Sequence, residues 1–163
     1  MNQSFAALLL AARRERQLVI ATALTDGAPS GQARQARLAQ QQGAGAAELR
    51  ADLLADPAQV RAALTAVRAA SSLPLLLTYR STTEGGKGAG HGQGYEDYLA
   101  SLLQLRPAVA AVDIEMACPA SKALVAEAKA VGYDVVGSCH DFTATPSAAQ
   151  ITQKLAQITA AGA

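Results

Sequence analysis

The sequence predicts an α/β fold of about five parallel strands, each followed by a helical crossover. Three observations carry that prediction. Short apolar segments alternate with longer stretches whose apolar residues recur at helical spacing. Asp56-Pro57 and Thr145-Pro146 read as helix starts, and Gly43, Gly132 and Gly162 follow helix ends. Residues 73–79 are almost continuously apolar, the pattern of a parallel strand buried on both faces.

The bulk numbers fit one domain. The chain has 163 residues, half of them apolar and many of those alanine, so helices form easily and large core side chains are scarce. A net charge of +1 gives no reason to expect a nucleic-acid or acidic-membrane partner. Cys118 and Cys139, the two cysteines, lack metal-ligand spacing and suit a reducing compartment.

In chain order, residues 1–17 form an amphipathic helical segment with Phe5, Leu8, Leu9 and Ala12 on one side. Its apolar run is too short to span a bilayer, and Arg13, Arg14 and Arg16 follow it rather than precede it. The expected compartment is therefore cytoplasmic, without a signal peptide. The main domain occupies residues 18–163. Its expected strands are residues 18–24, 46–53, 73–79, 109–115 and 134–139. Its expected helices are residues 31–42, one that starts at Asp56-Pro57 and carries Val60, Leu64 and Val67 as a stripe, and residues 95–105, 119–131 and 146–161. Residues 85–94 are glycine-rich and read as a flexible loop, with His91 solvated.

Two architectures fit five strand–helix repeats: an open doubly wound sheet or part of an eightfold barrel. Side chains alternate along a strand, so Glu48, Arg50 and Asp52 share one face. Thr78 and Arg80 share a face, as do Asp113 and Glu115, and Ser138 and His140. Charged residues at successive strand ends converge at the mouth of a barrel. An open nucleotide-binding sheet calls for a GxGxxG turn after its first strand, and residues 25–31 do not match it. The barrel is favoured.

Each polar residue also has a plainer reading. Glu48 and Arg50 make an ion pair at a strand end, Glu84 alone reads as a loop carboxylate, and His140 closes a loop. Asp113 and Glu115 are expected to hold Arg50 or Arg80. A Cys139–His140 nucleophile is disfavoured because neighbouring strand residues face opposite ways.

Together, Glu48-Leu49-Arg50, Arg80-Ser81-Thr82-Thr83-Glu84-Gly85-Gly86 and His140-Asp141-Phe142 with Thr145-Pro146 resemble the type I 3-dehydroquinate dehydratases from about residue 18 onward. The resemblance implies a (β/α)8 TIM-barrel type of fold, here incomplete. It implies a lyase of the shikimate pathway to aromatic amino acids, which dehydrates 3-dehydroquinate to 3-dehydroshikimate through a Schiff base. It makes His140 the general acid/base and Glu84 its polarising partner. Glu48, Arg50 and Arg80 would bind the hydroxyls of the small-molecule substrate, and Phe142 would line the site. These residue types suit the roles: histidine exchanges protons near neutral pH, and arginine offers a rigid, charged fork of donors. No cofactor and no metal is called for.

The family's Schiff-base lysine lies on a sixth strand, and no such strand follows within these 163 residues. Lys122, Lys129 and Lys154 fall on predicted helices, and Lys87 falls in the glycine-rich loop, so none is assigned that role. The expectation is a chain truncated after the fifth strand–helix unit and inactive alone. It would be either one part of a split enzyme or a non-catalytic remnant binding a polyhydroxy carboxylate. With two open sheet edges, a homo-oligomer or a complementing fragment is the expected partner.

Overall fold

The computed structural model describes residues 4–105 and 109–163. Residues 1–3 of the expected N-terminal segment lie outside that range. The strands are β1 (Ala21–Leu24), β2 (Ala46–Arg50), β3 (Leu75–Thr78), β4 (Ala111–Glu115) and β5 (Asp134–Ser138). The helices are α1 (Phe5–Glu15), α2 (Pro29–Gln41), α3 (Pro57–Ala70), α4 (Gln93–Leu103), α5 (Ser121–Ala130) and α6 (Ala148–Ala161). All strand pairs are parallel, and their order in the sheet is their order in the chain. Strictly sequential parallel strands are the topology of a barrel wall.

The register separates the two faces. Leu24, Leu49, Leu77, Val112 and Val135 align in one row across all five strands. The first four of these are buried and pack in the main core with Ala36, Val60, Leu64, Tyr95, Leu99, Leu124 and Val125 from α2 to α5. The opposite face carries Glu48 and Arg50, then Leu76 and Thr78, then Asp113 and Glu115, then Val136 and Ser138. Its amino-terminal half is apolar. Phe5 of α1 is buried there with Ala46 and Ala111, and Leu8, Leu76 and Val136 pack against them. Ser4 Oγ and the Ala6 N–H both donate to Asp134 Oδ2, fastening the start of α1 to the start of β5. The carboxyl-terminal half of the face is polar and carries the site.

The helix signals are local. Asp56 caps α3 by accepting from the Gln59 N–H, with Pro57 in the first turn as expected. At α6 the cap lies two residues later than Thr145. Ser147 and Gln150 form a reciprocal capping box, which satisfies two end groups where Thr145 would satisfy one.

The second strand is shorter than predicted. It ends at Arg50, and Ala51–Leu53 form a single turn of 3-10 helix. Asp52 thus meets Arg50 across a turn, not by strand alternation. Among the described residues, no helix is long and apolar enough to cross a membrane.

Candidate active site

Arg80, just past β3, is the hub of the polar face. Its Nη1 donates to Glu115 Oε1 at 2.9 Å and to Ser138 Oγ at 3.0 Å. Asp113 Oδ1 lies 3.2 Å from the same nitrogen, and Glu84 Oε2 lies 3.7 Å from it. Ser138 Oγ–H donates in turn to Asp113 Oδ1 at 2.8 Å. Burial alone would lower the guanidinium pKa, but Asp113, Glu115 and Glu84 raise it, so Arg80 stays charged.

Arg50 stands apart from this hub. Its Nε and Nη2 each donate to Asp52 at 2.8 Å, a bidentate pair. Asp52 Oδ2 also accepts from the Lys87 N–H at 3.1 Å. Asp113 and Glu115 therefore hold Arg80, and a turn residue holds Arg50. Glu48 points to the same face and accepts from Thr78 Oγ at 2.7 Å.

Glu84 and His140 meet across the mouth. Glu84 is buried, and its Oε2 accepts from the His140 N–H at 3.0 Å and pairs with His140 Nδ1 at 2.7 Å. A carboxylate acceptor assigns the proton to Nδ1. In the neutral ring, Nε2 is then the free acceptor, and no protein group pairs with it among the described residues. This is the tautomer a proton-transferring histidine needs. The Phe142 ring stacks on His140 with centroids 6.2 Å apart. Phe142 is nonetheless 79% exposed and borders the site rather than lining a closed pocket.

The segment carrying Glu84 is not the flexible loop the glycines predict. Ser81 donates its N–H and Oγ–H to Glu115, and the Glu84 N–H donates to Ser81 Oγ. The Gly88 N–H returns to the Arg80 carbonyl at 3.0 Å. The Gly86 backbone lies so close that a Cβ would sit 2.1 Å from the Arg80 carbonyl oxygen. Close packing, not freedom of motion, requires that glycine.

His91 is the residue that sequence reasoning missed. It is not solvated: its side chain is 11% exposed, and Nε2 lies 2.6 Å from Glu115 Oε2. Its N–H donates to Thr83 Oγ, and its ring meets Tyr95 edge-on. No local pattern announces this, because its partner lies on a strand 24 residues away.

The remaining residues have simpler places. Cys139 makes no hydrogen bond to His140 among the described residues. A groove of about 390 Å³ between β5 and α6 is lined by Cys139, His140, Ile151, Lys154, Leu155 and Ile158. Lys122 and Lys129 lie on α5, and Lys129 Nζ donates to the Gly162 carbonyl.

Comparison with known proteins places the chain. The family description of type I 3-dehydroquinase matches residues 20–163, leaving α1 outside. The 3-dehydroquinate dehydratase of Methanosarcina acetivorans is 36% identical over 124 residues, covering 74% of this chain and 51% of that protein. That of Methanoregula boonei is 38% identical over 128 residues, covering 78% and 54%. The chain thus spans about half the length of the curated relatives it matches. Among solved structures, the 3-dehydroquinate dehydratase of Enterococcus faecalis superposes with a TM-score of 0.79 at 27% identity, covering 89% of this chain and 62% of that one. The type I enzyme of Clostridium difficile gives 0.80 at 22% identity, covering 89% and 60%, a likeness in fold. With a family match over nearly all of its length and five strands that overlay part of those barrels, the chain belongs to the type I 3-dehydroquinase family.

Proposed function

We propose that this chain supplies the acid–base and hydroxyl-binding part of a 3-dehydroquinate dehydratase site. The 2.7 Å pairing of His140 with buried Glu84 carries the reading. In it, His140 Nε2 takes the proton next to the substrate carbonyl and later delivers it to the departing hydroxyl, which leaves as water. Glu84 fixes the tautomer and steadies the imidazolium. Glu48, Arg50 and Arg80 bind ring hydroxyls, and Phe142 borders the bound ring.

The electron sink is a Schiff base on a lysine, formed with loss of one water and hydrolysed at the end. We assign that lysine to none of Lys87, Lys122, Lys129 or Lys154. It comes from further polypeptide that completes the barrel, supplied as a complementing fragment. Cys118 and Cys139 are free thiols, which suits work in the cytoplasm. The competing reading is a non-catalytic chain that binds a polyhydroxy carboxylate. The coverage of about half of each relative favours it.

The test adds a fragment carrying the later strands of the Methanosarcina acetivorans relative and follows the absorbance of the enone product. The 163 residues alone should give no product and no borohydride-trapped adduct. The complemented pair should be active, and His140→Ala should lower that activity by about 10²–10⁴-fold. A trapped adduct on Lys87 or Lys154 of the isolated chain would overturn the external lysine. Complemented activity that survives His140→Ala would overturn the acid–base assignment. Saturable 3-dehydroquinate binding with no activity in any pairing would establish the competing reading.

A further inference from the structure

Three side chains able to ligate a metal converge beside His140, and one of them is its partner Glu84. Glu115 closes β4, and Glu84 and His91 lie in the segment between β3 and α4. One ligand atom from each lies within 4.8 Å of the other two, the one such group among the described residues. Both carboxylates are buried, and the imidazole is nearly so.

The electrostatics leave a place for positive charge. Glu48, Glu84, Asp113 and Glu115 all come to this face, while Arg50 is taken by Asp52. Among the described residues, Arg80 is the one remaining guanidinium there, and the His140 ring also reaches Glu84. Buried carboxylates without matching cations are costly.

The candidate ligands are already held in place. Arg80 and the Ser81 N–H donate to Glu115 Oε1, and Oε2 accepts from Ser81 Oγ and faces His91. Thr83 and Tyr95 fix His91. Such supporting contacts orient first ligands in metal sites. His91 Nε2 and Glu115 Oε2 lie 2.6 Å apart. Two ligands about 2.1 Å from a tetrahedral ion stand about 3.4 Å apart, so this pair must open by less than about 1 Å.

We propose that Glu84, His91 and Glu115 form a binding site for a divalent transition-metal ion of the zinc type. One imidazole nitrogen and two carboxylates make a mixed N/O set that leaves a position for water. Calcium and magnesium prefer oxygen alone. A metal ion needs an unprotonated imidazole nitrogen and ionised carboxylates, so protons compete with it. The proposal goes beyond the dehydratase reading and needs neither its lysine nor its substrate.

The experiment titrates Co²⁺, by visible absorption, and Zn²⁺, by calorimetry, into the metal-free chain. One saturable ion per chain is expected, with a cobalt spectrum of low coordination number. His91→Ala should weaken binding by at least about 10-fold, while Lys154→Ala on α6 should change it by less than about threefold. If His91→Ala fails to fold, paramagnetic broadening by Co²⁺ in the unaltered chain must centre on His91. Absence of saturable binding, unchanged affinity in His91→Ala, or broadening centred on His140 or Cys139 would each overturn the proposal.

Discussion

Asp113 and Glu115 stand two residues apart on the same strand face, yet their carboxyls shift in opposite directions. Burial pushes both up. At Glu115, donors from Ser81, His91 and Arg80 outweigh it, and the pKa falls. At Asp113, Arg80 and Ser138 do not, and the pKa rises to about 6. The number of donors reaching each oxygen decides the outcome. A carboxyl raised from 3.8 to about 6 binds its proton more tightly folded than unfolded. Its contribution therefore favours folding at low pH and is lost as pH rises through that window. Asp113→Asn removes the titration. The stability of the natural chain relative to Asp113→Asn should fall between pH 4 and pH 7, by on the order of 3 kcal/mol. Urea unfolding of both proteins at the two pH values measures this. A constant difference would refute the buried, raised carboxyl.

The helices differ in how firmly the fold holds them. α3 and α4 each bury four side chains, whereas α6 buries none and rests on its capping box and its contact with α5. α1 is held by one buried aromatic, Phe5, and by two hydrogen bonds to Asp134. Removing that acceptor should release the start of the helix. Asp134→Ala should cost about 1–2 kcal/mol of local docking, which is about a tenfold rise in the open population. Trypsin should then cut at Arg13, Arg14 or Arg16 about ten times faster, while the sheet stays folded. Equal cleavage rates would mean that the apolar contacts of Phe5 and Leu8 dock the helix without Asp134.

At the scale of the molecule, the sheet has two unpaired edges, β1 and β5. Apolar side chains lie exposed at both: Leu18, 94% exposed, and Ile20 before β1, and Phe142, Ile151 and Leu155 beyond β5. Unpaired parallel edges flanked by apolar surface associate. The chain should therefore form dimers or larger species at micromolar concentration, seen as a sedimentation coefficient that rises with loading. A complementing fragment that covers β5 should suppress that rise. A cooperatively unfolding monomer at every concentration would count against open edges.

The sequence by itself determined the class of fold, the number and order of the strands, and most helix ends. Those signals are local: two-residue alternation, helical periodicity and cap residues act over one or two turns of chain. It also placed Glu48, Arg50, Arg80 and His140 at strand ends, because alternation assigns a face to every strand residue. Only the tertiary structure decided which charges meet. Asp52 reaches Arg50 because the strand stops and turns. Glu84 reaches His140 across 56 residues, and His91 reaches Glu115 across 24. The glycines of residues 85–94 read as freedom of motion, yet in the fold they let the backbone pack against Arg80 and Tyr79. Spacing along the chain holds no record of such meetings, because they depend on how a segment of about ten residues folds back over the neighbouring strand ends.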